Sequence, residues 1–171
     1  ATLGDWVLGE ACRQISAWQE AGLRIPVAVN LSMHQLRQED LVHRVRHALL
    51  SHGVAPALLT LEITESAAME DAQRSMAVFQ RLRELGVKLS IDDFGTGYSS
   101  LSYLRQLRAH QLKIDRSFVQ DLEHGADARA IVEAVVRLAH ALGMEVVAEG
   151  VETAAQREVL AGLNCNKRSE E

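Results

Sequence analysis

The sequence predicts an α/β fold, an incomplete (β/α)8 barrel with about five βα units, and three observations carry that prediction. Short apolar runs of four to six residues alternate with longer segments of helical periodicity, the order that gives parallel strands and crossover helices. Most of the short runs end in a polar residue able to bind a cation, as strands do where they open on a shared mouth. No Gly-rich nucleotide fingerprint follows any run, which ranks an open doubly wound sheet below the barrel.

Taken in order, Asp5 caps a first helix with apolar positions Trp6, Val7, Ala11, Ile15 and Trp18, closed by Gly22. Pro26 precedes the run Val27-Ala28-Val29, which ends in Asn30. A helix from about Asp40 to His52 follows, with Leu41, Val45, Ala48 and Leu49 on one side, and Gly53 and Pro56 break it. The run from Leu58 to Ile63 is the second strand, and a helix from about Asp71 to Leu85 turns Met76, Phe79 and Leu82 inward. Val87 to Ile91 reads as a strand entering the loop Asp92-Asp93-Phe94-Gly95-Thr96-Gly97. A short helix (Leu101, Leu104) leads to the strand Gln111–Ile114. A helix from about Ala128 to Leu142 carries the stripe Ile131, Val135, Leu138, Ala139 and Leu142. Strand Glu145–Ala148 reaches Glu149, and a last helix starts after the cap Thr153. A complete TIM-type barrel takes about 250 residues, so 171 residues supply its middle and not the whole.

Composition narrows the function. The net charge of −5, with acids and bases interspersed, lacks the basic stripe of a nucleic-acid binder. No apolar stretch approaches the roughly 20 residues of a membrane span. Cys12 and Cys165 lie near opposite ends without a Cys-x-x-Cys partner, so neither a disulfide nor a zinc ribbon is expected, and a cytoplasmic setting is. Asn30-Leu31-Ser32 fits the glycosylation triplet, which reads as chance without a secretory signal. The chain opens on Ala1 rather than Met, the pattern expected of an excerpt from a longer protein.

The chemistry gathers at the strand ends: Asn30, Glu62, Asp92, Asp93 and Glu149, with Lys113 inside its strand. In a barrel these ends converge, and so many carboxylates together demand a neutralising cation. Carboxylate and amide oxygens suit Mg²⁺ or Mn²⁺ better than zinc. Adjacent Asp92 and Asp93 could serve two cations about 3.5–4 Å apart, the spacing used for phosphoryl displacement. An acidic protein acting on a phosphodiester needs such a metal, and Lys113 could orient or stabilise the attacking hydroxide. Any single acid here is as readily a helix cap or surface residue; five at successive strand ends are harder to dismiss. Asp93-Phe94-Gly95 matches a kinase metal triplet, but no Gly-rich loop or His-Arg-Asp segment precedes it. His43 and His47, spaced i, i+4, read as a solvated helix face, because no Glu follows His43 as in zinc proteases.

Together the runs Val29-Asn30-Leu31-Ser32, Leu61-Glu62-Ile63-Thr64-Glu65-Ser66, Asp92-Asp93-Phe94-Gly95-Thr96-Gly97-Tyr98-Ser99-Ser100-Leu101, Leu112-Lys113-Ile114-Asp115 and Val147-Ala148-Glu149-Gly150-Val151-Glu152 resemble the EAL domain, the bacterial cyclic di-GMP phosphodiesterase family. The resemblance implies that Asn30, Glu62 and Asp92 are metal ligands and that Asp93 holds or bridges a second metal. It implies that Lys113 contacts the catalytic water and that Glu149 is a site carboxylate assisting it. Glu65 would anchor the loop after Asp93, and Glu152 would support the site from nearby. The family reaction is Mg²⁺- or Mn²⁺-dependent hydrolysis of cyclic di-GMP to linear pGpG, usually in a homodimer.

The departures from the family lie at the ends. The Glu-Ala-Leu segment, with its metal-binding Glu and a phosphate-binding Arg, is absent, and Ser169 stands near the position of a family Gln. Residues 1–165 are thus expected to form a partial EAL domain lacking its first strands and last strand, and 166–171 a non-matching tail. Exposed barrel edges would favour homo-oligomers. The expected activity is that of the parent phosphodiesterase, weak or absent in this chain alone. The alternative is a non-catalytic module acting as a cyclic di-GMP receptor or protein-interaction domain, and a third reading is an unrelated Mg²⁺ barrel enzyme such as an enolase-type lyase.

Overall fold

The computed structural model describes residues 2–97 and 100–168, which divide into two compact units. Residues up to Ile63 and Ala67–Leu89 form the first; Thr64–Ser66 and residues from Ser90 onward form the second. Among the described residues no helix is long and apolar enough to cross a membrane.

In the first unit α1 (Leu3–Glu20) opens with a capping box. Thr2 Oγ accepts the Asp5 N–H at 3.3 Å, and the Asp5 carboxylate accepts the Thr2 N–H at 3.0 Å. The face it buries is Leu8, Cys12 and Ile15, a helical i, i+4, i+7 stripe. This corrects the expected stripe at one end: Ile15 is inside, but Trp6 is 61% exposed. A large aromatic near a helix start is a poor guide to phase, because the first turn has few neighbours to pack on.

β1 (Val27–Asn30) pairs parallel with β2 (Leu59–Thr64) in unbroken register, Val27 opposite Leu59 through Asn30 opposite Glu62. Between them run α2 (Met33–Leu36), begun by a Ser32 capping box, and α3 (Leu41–His52), ended by Gly53 at φ 60°. As expected, α3 buries Leu41, Val45, Ala48 and Leu49. After β2 comes α4 (Glu65–Glu70), a helix the sequence did not announce, and then α5 (Ala72–Glu84). Asp71 caps α5 by accepting the Arg74 N–H at 3.2 Å, and the helix buries Phe79 and Leu82 as expected, with Met76 half-buried. Phe79, Leu59 and Leu61 are fully buried, each contributing about 1.5–3 kcal/mol of apolar burial.

β3 (Lys88–Phe94), which lies in the second unit from Ser90 onward, β4 (Gln111–Ile114) and β5 (Glu145–Ala148) are parallel neighbours. Strand β3 runs past the expected end at Ile91 and includes Asp92, Asp93 and Phe94. The connections are α6 (Leu101–Leu107), α7 (Arg116–Gln120), α8 (Ala126–Ala141) and α9 (Ala154–Gly162). Helix α8 buries Val132, Val136 and Ala139, while Ile131 is 45% exposed. The expected stripe was therefore one residue out of phase at its start, because a run of alanines and valines offers two overlapping apolar faces. Thr153 caps α9 in a capping box with Gln156.

Of the tail expected at 166–171, residues 166–168 are described. Lys167–Arg168 form a short β6 parallel to β5, with Val147 opposite Lys167 and Ala148 opposite Arg168. Asn166 secures the approach, its Oδ1 accepting the Val146 N–H at 2.9 Å. Ser169, the residue expected near the family Gln position, lies outside the described residues, as do Tyr98 and Ser99.

Candidate metal centre

The backbone at the end of β3 is irregular. From Ile91 to Phe94 it advances three residues while β4 advances two, from Leu112 to Ile114. That is a β-bulge, a device that re-aims side chains next to functional sites. Asp93 occupies the left-handed region at φ 53°, which Asp tolerates better than most side chains because it bonds locally. The Asp93 N–H donates to Asp92 Oδ1 at 2.8 Å. Its carbonyl accepts the Thr96 hydroxyl at 2.7 Å and the Thr96 N–H at 3.3 Å.

The turn that follows is held by Glu65, which is 2% exposed. Its Oε2 accepts the N–H groups of Gly95 and Gly97, both at 3.0 Å. Two backbone donors on one carboxylate oxygen offset the cost of burying the charge.

This bulge brings Asp92 and Asp93 to Glu149, which follows β5. One oxygen from each of the three carboxylates lies within 4.8 Å of the others, and all three residues are half-buried. Lys113, from the middle of β4, ion-pairs with Glu149 Oε1 and lies 3.9 Å from Asp92 Oδ1. Partial burial, then the charges of Asp92 and Asp115, push the Asp93 carboxyl above its ordinary range, against the pull of Lys113. Protonation or a bound cation relieves such crowding. Oxygens across a cation stand roughly 4.0–4.2 Å apart for Mg²⁺ and 4.6–5.2 Å apart for the larger Ca²⁺, and closer where they are adjacent ligands. The donor set, its spacing and its partial burial therefore fit a hard divalent cation.

In the first unit Asn30 and Glu62 stand as register partners at neighbouring strand ends, Asn30 exposed and Glu62 8% exposed. Glu152 is exposed, and its N–H donates to Gln156 Oε1 at 2.8 Å at the head of α9. His43 and His47 lie exposed on α3, with His47 Nε2 3.3 Å from Ser51 Oγ. Reading the residues had overlooked Asp115, which adds negative charge beside Asp93 and caps α7 by accepting the Ser117 N–H at 2.9 Å. Strand alternation could have found it, because residues 113 and 115 share a face at period two.

The EAL domain profile matches residues 1–167. A bifunctional diguanylate cyclase/cyclic di-GMP phosphodiesterase, MucR of Pseudomonas aeruginosa, is 52% identical over 165 residues, 96% of this chain and 24% of that protein. The cyclic di-GMP phosphodiesterase NbdA of the same species is 48% identical over 164 residues, 95% of this chain and 21% of that protein. The chain thus spans less than a quarter of the length of these relatives. Among solved structures, the MucR phosphodiesterase in complex with cyclic di-GMP aligns with a TM-score of 0.93 and 52% identity, over 96% of this chain and 67% of that one. Klebsiella pneumoniae BlrP1 with manganese and cyclic di-GMP aligns with a TM-score of 0.80 and 34% identity, over 91% of this chain and 40% of that one. The parallel α/β arrangement read from the sequence is the fold of these domains, a partial TIM-like barrel. On this agreement of profile, sequence and fold, the chain belongs to the EAL domain family.

Proposed function

We propose that this chain carries the catalytic strand ends of a metal-dependent phosphodiesterase that opens cyclic di-GMP to linear pGpG. The observation that carries the reading is the gathering of Asp92, Asp93 and Glu149 around Lys113, in a chain 52% identical to a solved phosphodiesterase bound to that dinucleotide. Asp92 and Asp93 would hold Mg²⁺ or Mn²⁺. Asn30 and Glu62 are proposed as further ligands on the family resemblance and their oxygen chemistry. When bound, the metal supplies positive charge that offsets the carboxylates and polarises a phosphoryl oxygen.

The chain's own groups do the rest. The Lys113 ammonium donates to the attacking water and orients it, and Glu149, ion-paired to Lys113, accepts its proton. The water oxygen bonds to phosphorus, one ester P–O bond breaks, and the departing ribose oxygen takes up a proton. Glu65 keeps the Gly95–Gly97 turn in place while this happens. Self-association and a cytoplasmic setting belong to the same proposal, the first checked by light scattering and the second by cell fractionation.

The test uses purified chain beside a form extended to the length of its solved relatives, each incubated with Mn²⁺ and cyclic di-GMP. Metal-dependent release of pGpG by the extended form, lost in Glu62→Ala, is the expected result. Tight nucleotide binding by calorimetry with no pGpG overturns hydrolysis in favour of a receptor.

A further inference from the structure

Asp93 sits in the left-handed backbone region, which even for Asp is sparsely populated and is helped by restraint from its surroundings. Two of the restraints are hydrogen bonds: Thr96 on the Asp93 carbonyl, and Glu65 on the N–H groups of Gly95 and Gly97. A third support is apolar. Gly95, at φ +100°, turns its bare Cα toward the half-buried ring of Phe118; a Cβ there would stand 2.6 Å from Cε2 and 3.0 Å from Cζ. The ring occupies the space a side chain at residue 95 would need.

Phe118 is itself fixed. It lies on α7, whose start Asp115 caps, and its N–H donates to the Asp115 carbonyl at 3.1 Å. Helix α7 follows directly on β4, the strand that carries Lys113. The turn after Asp92 and Asp93 is therefore held on its N–H side by a carboxylate and at its Cα by an aromatic ring tied to the lysine's strand.

We propose that Phe118 is a positioning residue for the acidic cluster: its ring braces the Gly95 turn and so keeps Asp93 where it can share a cation with Asp92 and Glu149. The proposal rests on the metal-binding reading above. A ring that merely fills space in the second unit would affect stability and leave metal affinity alone.

The test is Mn²⁺ titration of this chain, followed by the electron paramagnetic resonance signal of the free ion, with thermal unfolding in parallel. Phe118→Ala is expected to weaken Mn²⁺ binding about tenfold, the lower end of the range seen when supports of metal ligands are removed, and Phe118→Leu, which keeps part of the bulk, by a smaller but measurable factor. The effects of Phe118→Ala and Glu65→Gln are expected to be non-additive, because both act on one turn. Val132→Ala, a buried change on α8, is the control; it lowers the melting temperature and leaves Mn²⁺ affinity unchanged. In the extended form Phe118→Leu lowers kcat more than it raises KM. A folded Phe118→Leu variant that binds Mn²⁺ like the unsubstituted chain overturns the proposal, even if Phe118→Ala fails to fold. Equal weakening by Val132→Ala overturns it too. No Mn²⁺ uptake by the unsubstituted chain is a separate outcome, which sinks the metal reading itself.

Discussion

Asn30 and Glu62 reach neighbouring strand ends in the first unit through unbroken parallel register, one polar residue per strand. In the second unit Asp92 and Asp93 come from a single strand, and the register there slips to accommodate them. Regular strands send successive side chains to opposite faces. Adjacent carboxylates can serve one site only if that alternation is broken, here by a bulge and a left-handed Asp93. A regular strand end contributes one group at no backbone cost. A doubled end requires outside restraint, which Glu65 and Thr96 supply.

The largest test of this contrast is catalytic. Asp92→Asn is expected to reduce pGpG release by the extended form about 10³-fold, and Asn30→Ala about 10-fold, since a neutral amide neutralises no cation charge. Steady-state kinetics with Mn²⁺ decide it, and equal losses would erase the distinction between the two ends. Deleting Asp93 makes β3 regular, with Asp92 opposite Lys113. The prediction is an unchanged circular dichroism spectrum and Mn²⁺ affinity weaker by at least the roughly 10–100-fold seen when only a ligand's support is lost; an unfolded deletion would mean the bulge is required for the fold itself.

Next come the cores. Leu61 and Leu112 are both fully buried, one in each unit. Replacing either with Ala is expected to cost about 2–5 kcal/mol in urea unfolding, and a much smaller loss at one would mark that unit as loosely packed. Thr153→Ala removes a cap at α9 and is expected to cost about 1 kcal/mol, leaving Mn²⁺ binding unaltered.

The remaining test concerns the thiols. Burial pushes Cys12 up to about 11 from an ordinary 9.0. The unfolded chain then loses that proton first, so stability falls as pH rises from about 9 toward 11, by at most about 1.4 kcal/mol per pH unit. Cys12 is fully buried and Cys165 8% exposed, so mass spectrometry after iodoacetamide treatment at pH 8 is expected to find Cys165 labelled first.

Much of this was legible in the residues. Strand ends betray themselves through apolar runs that stop at a polar residue, which marked Asn30 and Glu149, while Glu62 lies two residues inside the end of β2. Helix caps followed from Thr153 and Asp71. Less legible was whatever depended on phase or on backbone irregularity. Ile131 and Val132 are equally apolar, and only packing decides which turns inward. The bulge at Asp92 and Asp93 leaves no periodic signal, because an inserted residue looks like a strand that has ended; hence the expected stop at Ile91. Helix α4 was missed because Glu65 to Glu70 carries too few apolar residues to show a period.

Glu65 lies 30 residues before Gly95 and 32 before Gly97. Closing a loop of that length carries an entropic toll before any bond repays it, and the turn is predicted to be among the first places to open, which hydrogen exchange would check. The Gly95 and Gly97 amides then become a built-in gauge. Their hydrogen-exchange rates report how often the acids fall out of alignment in an otherwise folded chain, and a bound cation should slow both together.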